Sequence, residues 1–184
     1  MRVITGSARG RRLATPPGTD VRPTSDMAKE AIFSILQMEL EEAAVLDLFA
    51  GSGQLGIEAL SRGARSCVFV DNAKLSQKAV RENLASTQLA SKGRLIPMDA
   101  VTFLQSTAEI FDIALLDPPY QQGILEKALP LVASHMRESG IIVCETERGE
   151  DLPEVAGSFT KHREYRYGKA KVTVYRQPLE EELQ

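Results

Sequence analysis

Two short stretches of this sequence hold residue types and spacings that could do chemistry. They are DLFAGSGQLG, residues 47–56, and ALLDPPYQQG, residues 114–123. Within the first, GSGQLG has the G-x-G-x-x-G spacing usual for a nicotinamide or flavin dinucleotide site. Gly51 and Gly53, with Ser52 between them, let the backbone turn tightly and approach a ligand closely. Asp47 stands just before this loop, where its charge would repel a pyrophosphate. It suits a ligand with a cationic amine. Asp71 ends the next apolar run, where an acid about twenty residues past the glycines can accept hydrogen bonds from ribose hydroxyls.

The second stretch places Asp117, Pro118, Pro119 and Tyr120 after an apolar run. Consecutive prolines fix the backbone angles. The result is a rigid turn with an acceptor carboxylate, an acceptor carbonyl and an aromatic ring. A planar base with an exocyclic amine fits it: Asp117 and the Pro118 carbonyl accept the two N–H bonds, and Tyr120 stacks on the ring. Ribose hydroxyls with an ammonium nearby and no phosphate describe S-adenosyl-L-methionine better than a nicotinamide dinucleotide.

These residues need a scaffold that brings them to one edge. The runs AAVLDLF, SCVFVD, RLIPMD, FDIALLD and GIIVCE read as strands. Between them LGIEALSRGA, NAKLSQKAVRENLASTQLA, AVTFLQSTAEI and GILEKALPLVASHMRESG have helical length. Alternating strands and helices predict βαβ units around a parallel sheet. Continuously apolar strands suit a sheet covered on both faces. Asp71, Asp99, Asp117 and Glu145 close successive runs, and ligands of such sheets bind outside the carboxyl ends of the strands. SDMAKEAIFSILQMEL carries apolar residues at helical spacing. At the end of the chain, SFTKHREYRYGKAKVTVYRQ reads as an antiparallel hairpin turning around Gly168.

Over 184 residues, 43% hydrophobic and 26% charged residues suit a globular domain with its own core. No apolar run reaches the ~20 residues of a membrane span, and MRVITGSARGRR lacks the apolar stretch of a secretory signal, so a cytoplasmic protein is expected. Cys67 and Cys144 lie inside apolar runs and read as buried thiols, with no metal-binding spacing. The net charge is −3, but it is unevenly spread. Arg9, Arg11, Arg12 and Arg22 crowd the first 22 residues, and a second basic stretch runs from Lys161 to Lys171. Such ends can form a local positive surface on an acidic chain. They can equally be solvated charge.

DLFAGSG resembles the cofactor loop of class I S-adenosylmethionine-dependent methyltransferases, and DPPY resembles their amino-methylating motif. RVITGSARGRRL, RPTSDMAKEAIFSIL, DLFAGSGQLGIEALSRGA and DPPY are together similar to the RsmD family over nearly the whole chain. Gln54 departs from the small residue commoner there. The resemblance implies a Rossmann-like α/β fold: a mostly parallel seven-stranded sheet, a C-terminal antiparallel hairpin and a short N-terminal arm. It divides the chain into a basic arm, residues 1–24, and a methyltransferase domain, residues 25–184. It implies methylation of the exocyclic N2 of a guanine in 16S ribosomal RNA, with the small ribosomal subunit or an assembly intermediate as partner. Methyl transfer from a sulfonium needs no metal, and a monomer is the default expectation. Asp47, Gly51, Ser52 and Gly53 would line the methionine end of the cofactor, Asp71 would hold the ribose, and Asp99 with the Ala100 N–H would read the adenine edge. Asp117, Pro118 and Tyr120 would hold the target base, and Arg9, Arg11, Arg12 and Arg22 would grip RNA.

Three other functions share parts of this pattern. An adenine-N6 DNA methyltransferase shares the glycine loop and DPPY, but the chain has no large target-recognition insertion. A dinucleotide oxidoreductase explains GSGQLG but neither Asp47 nor DPPY. A non-catalytic RNA-binding or ribosome-assembly protein explains the basic ends and gives no reason for DPPY. His135 and His162 are assigned no chemistry. Thr24 and Glu30, beside the arm, are candidates for the edge of the site.

Overall fold

A computed structural model describes residues 1–18, 26–119 and 123–179. Strands form where aliphatic runs are buried on both faces. Ala44–Asp47 (β1), Ser66–Val70 (β2), Gly93–Ile96 (β3), Phe111–Leu116 (β4) and Met136–Glu147 (β5) pair in parallel. Val155–Ala156 (β6), Phe159–Tyr167 (β7) and Ala170–Arg176 (β8) extend the sheet with antiparallel pairing, in the order β3-β2-β1-β4-β5-β8-β7-β6. The seven expected strands are present, and β6 adds a two-residue edge strand too short to leave a periodic signal.

The helices are Asp26–Ile35 (α1), Gln54–Ser61 (α2), Lys74–Ser86 (α3), Ala100–Ser106 (α4) and Ile124–Ala133 (α5). One core layer packs Phe33, Ile57 and Val80 of α1, α2 and α3 on Val45, Ile113 and Val143. The other packs Phe103 and Leu129 of α4 and α5 on Leu46, Ala114 and Ile142. Side chains alternate across a strand, so each apolar run feeds both layers.

Two boundaries differ from the sequence reading. α1 stops at Ile35, and the chain then tightens, with Gln37 N–H bonding to Ser34 O and Glu39 N–H to Leu36 O. The stretch GILEKALPLVASHMRESG is helical only to Ala133. Phe111 N–H donates to the His135 carbonyl and Met136 pairs with Phe111, so MRESG begins β5 and an irregularity in the β4 register absorbs the slack.

The N-terminal arm forms a small hairpin, with Val3 N–H bonded to Arg11 O and Gly10 N–H to Val3 O. Val3, Ala8 and Leu13 join the core layer under α1–α3. Polar contacts lock it in place. Glu58, fully buried in α2, accepts the Ile4 and Thr5 N–H groups at 2.9 and 3.0 Å. It also pairs with Lys29 of α1 at 3.1 Å and Arg62 at 2.9 Å. Gly6 (φ +94°) presses on the Ser61 backbone so closely that a Cβ would lie 1.8 Å from its carbonyl oxygen. Farther along, Asn83 of α3 bonds both the Ala14 N–H and its carbonyl, and also the Ser52 carbonyl.

Candidate active site

The strand order reverses between β1 and β4, and ligands of open α/β sheets bind at that switch point. A cleft of about 660 Å³ opens there. Gly51 and Ser52 come from the β1–α2 loop, Asp71 from the end of β2, Asp99 and Ala100 from the start of α4, and Asp117 and Pro118 from the end of β4. The fold thus gathers seven expected site residues into one cavity.

Asp71 shapes its rim. Its two carboxylate oxygens accept the Gly51 and Ala73 N–H groups, each at 2.9 Å. A carboxylate has about four lone-pair sites, so two bonds leave capacity for ligand hydroxyls. Asp99 caps α4, accepting the Thr102 N–H at 3.0 Å through one oxygen. The flanking surface is apolar: Phe49, Val70, Met98 and Ile124. No lysine or arginine lines the cleft among the described residues. An apolar slot with three carboxylates and, among the described residues, no lysine or arginine fits a cationic nucleoside, and it opposes the pyrophosphate of a dinucleotide. S-adenosylmethionine therefore fits the residues present.

Asp47 and Gly53 do not line the cavity. Asp47 lies beneath its floor, 1% exposed, accepting the Gly56 N–H at 2.9 Å. Burial pushes its carboxyl up to about 8, the Gly56 bond opposes this, and the nearby Asp117 and Asp71 charges raise it further. Asp47 thus occupies a first-turn N–H of α2 from inside, the group a phosphate would otherwise seek. Gly53 (φ +78°) turns the loop into α2 against Val80 and Phe69.

Tyr120 and Arg22, with Thr24, lie outside the described residues. Arg9, Arg11 and Arg12 are exposed on the arm hairpin and away from the cavity lining. Glu30 is exposed on α1, outside the lining. His135 bonds the Leu104 and Glu109 carbonyls, a structural place. Both cysteines are buried, and burial raises each thiol. Among the described residues no group of three or more His, Cys, Asp or Glu could hold a metal ion. No helix among them is long and apolar enough to cross a membrane.

Sequence reasoning missed Phe49, Met98 and the arm's share of the site. Phe49 sits two residues past Asp47 with φ +94°, an outlier for a bulky residue and of the kind that clusters at functional sites. Met1, Thr15 and Pro16 of the arm wall one side of the cleft, and the Ser52 hydroxyl reaches Met1 Sδ at 3.4 Å. Only the strand-end position of DLF hinted at Phe49; nothing local marks the arm residues.

Fold and cleft together define a Rossmann-like class I methyltransferase. The family model described as "Conserved hypothetical protein 95" matches residues 1–176. Ribosomal RNA small subunit methyltransferase D of Escherichia coli (strain K12) is 32% identical over 184 residues, covering 99% of this chain and 92% of that protein. YlbH of Bacillus subtilis (strain 168) is 40% identical over 181 residues, covering 96% and 98%. The solved structure of yhhF from Escherichia coli superposes with a TM-score of 0.86 at 33% identity, covering 97% of this chain and 99% of the other. The chain belongs to this family, the RsmD family of methyltransferases.

Proposed function

We propose that the protein methylates the exocyclic N2 of a guanine in 16S ribosomal RNA, acting in the cytoplasm as a single chain on the small ribosomal subunit or its assembly intermediate. The observation that carries this reading is the meeting of Asp117 and Pro118 with Gly51, Asp71 and Asp99 in one cleft that no lysine or arginine lines among the described residues. S-adenosylmethionine supplies, when bound, an electrophilic methyl group on a sulfonium. Asp71 holds the ribose hydroxyls, and Asp99 with the Ala100 N–H reads the adenine edge. Phe49, Met98 and Ile124 exclude water from the base. Asp117 and the Pro118 carbonyl accept the two N–H bonds of the guanine amine and hold its nitrogen toward the methyl group. They also stabilise the positive charge that develops on nitrogen, as preorganised acceptors do in a closed site. Alignment of this kind contributes up to several kcal/mol, roughly 7–11 in the best intramolecular cases. A paired base cannot enter such a cleft, so the target must be unpaired or extruded. The exposed Arg9, Arg11 and Arg12, with Arg22, hold RNA phosphates.

The test offers S-adenosylmethionine carrying a labelled methyl group with unmethylated small subunits, free 16S RNA and duplex DNA, followed by digestion and identification of the labelled nucleoside. Label in N2-methylguanosine is expected, strongest on the preferred RNA form. Label in N6-methyladenine would transfer the function to the DNA-methylating alternative. Absence of label in every nucleoside would sink the reading.

A further inference from the structure

The C-terminal hairpin reaches the same sheet edge as the cleft. Leu116 pairs with Cys144 across β4–β5, Glu145 with Val172 across β5–β8, and Tyr165 with Val172 across β7–β8. Tyr165 therefore lies in the cross-sheet row of Asp117, three strands away, or about 14 Å at the usual strand spacing. β7 is antiparallel to β8, and β8 to β5, so β7 runs in the direction of β4. Tyr167 then lies one side-chain step farther toward the carboxyl edge, where the cleft opens.

Arg163, Tyr165 and Tyr167 alternate with Glu164 and Arg166, so they share one face. It is the face of α1, because both tyrosines pack against the core layer containing Phe33 and Val172. Their rings lie 6.5 Å apart and within 16° of parallel. Both are half-buried, and neither phenol has a hydrogen-bond partner among the described residues. The hairpin's cations divide by environment. Lys161 and Lys171 are neutralised by Glu154, Glu164 and Asp151. Arg163 and Lys169, by contrast, are exposed and make no ion pair among the described residues. Near-parallel rings beside uncompensated cations, in the row of a base-binding turn, have the chemistry that single-stranded nucleic acid requires: π-faces for bases and charge for the backbone.

We propose that Arg163, Tyr165 and Tyr167, with Lys169 at the tip, form a stacking platform for the single-stranded RNA flanking the target guanine; this rests on the function proposed above. The platform holds the neighbouring bases unstacked while the target enters the cleft.

The test measures anisotropy of a fluorescein-labelled single-stranded oligoribonucleotide, and of the same sequence as a duplex, with the full chain. Tyr165→Leu/Tyr167→Leu should weaken single-strand binding about tenfold to a hundredfold and leave duplex binding unchanged. Tyr165→Phe/Tyr167→Phe should retain wild-type affinity, since stacking uses the ring. Arg163→Ala/Lys169→Ala should flatten the salt dependence by about 0.7 in log–log slope for each RNA phosphate no longer neutralised. Calorimetric S-adenosylmethionine affinity should be the same in all of them. Wild-type single-strand affinity in the leucine variant, or equal losses on single strand and duplex, would overturn the platform. Should that variant not fold, crosslinking of a 4-thiouridine oligonucleotide to the wild-type protein decides: adducts within residues 163–169 support the platform, and adducts only elsewhere overturn it. An active enzyme with unaffected tyrosine variants removes the platform alone. A wild type that binds the oligonucleotide but methylates no RNA removes the methyltransferase reading instead.

Discussion

Asp47 and Asp117 end adjacent parallel strands, yet their surroundings assign them opposite tasks. Asp117 faces the cleft, while Asp47 is sealed under it against the Gly56 N–H. Asp117→Ala should abolish methyl transfer while calorimetry shows cofactor affinity within about twofold of wild type; surviving turnover would remove Asp117 from the base-binding role. The Asp47 prediction concerns stability. Its carboxyl keeps a proton in the folded chain up to about 8, against an ordinary value of 3.8. Between those values the folded state binds the extra proton, so stability falls as pH rises through the window and levels off above it. Asp47→Asn should lack this contribution. Urea unfolding of both proteins from about pH 5 to about pH 9 should show the wild type losing ground steadily to the variant. A constant difference would contradict the burial argument. Composition and spacing brought Asp47 to notice for its charge near the loop. They could not show that the loop folds Gly56 back over it, because that depends on how α2 packs.

At the scale of elements, α2 is the junction. Glu58 gathers two arm N–H groups, Lys29 and Arg62 around one buried carboxylate. Burial lowers the Lys29 ammonium despite the partner, so the pair depends on staying intact. Removing one partner of a buried pair typically costs about 3–5 kcal/mol. Glu58→Ala should therefore lower the thermal midpoint by many degrees and expose the arm to limited proteolysis before the domain unfolds. Arg9→Ala/Arg11→Ala/Arg12→Ala leaves this junction untouched. It should weaken RNA binding and reduce the salt slope by roughly 0.7 per phosphate no longer neutralised on single strands; an unchanged slope would return those arginines to solvated charge. The arm's basic composition was plain in the sequence. Its docking was not, because Glu58 and Asn83 are distant in the chain from Ile4 and Ala14. The end of α5 is hidden for a similar reason: MRESG has helical composition but is claimed by Phe111.

For the whole molecule, the alternation of strand and helix was legible because each apolar run serves two core layers, and the glycine loop and DPPY fell at the ends of the strands that flank the switch point. The third glycine of GSGQLG also has a packing role. A Cβ on Gly56 would come within 2.3 Å of the Phe69 ring and 2.7 Å of Cys67 Sγ, so Gly56→Ala must displace those side chains or shift α2 against β2. Overpacking of this kind typically costs about 1–3 kcal/mol, read as a lower urea midpoint with unchanged slope. The apolar wall of the cleft was not legible, since Phe49, Met98 and Ile124 look like ordinary core residues until the sheet closes around them. One consequence concerns the arm hairpin, which walls the cleft through Met1, Thr15 and Pro16 and carries Arg9, Arg11 and Arg12 on its outer side. With RNA on those arginines and the methyl donor in the cleft, as proposed, one small hairpin and its tail serve both ligands. By the closure of a thermodynamic cycle, whatever factor a bound RNA adds to the grip on the methyl donor, the donor returns to the grip on RNA.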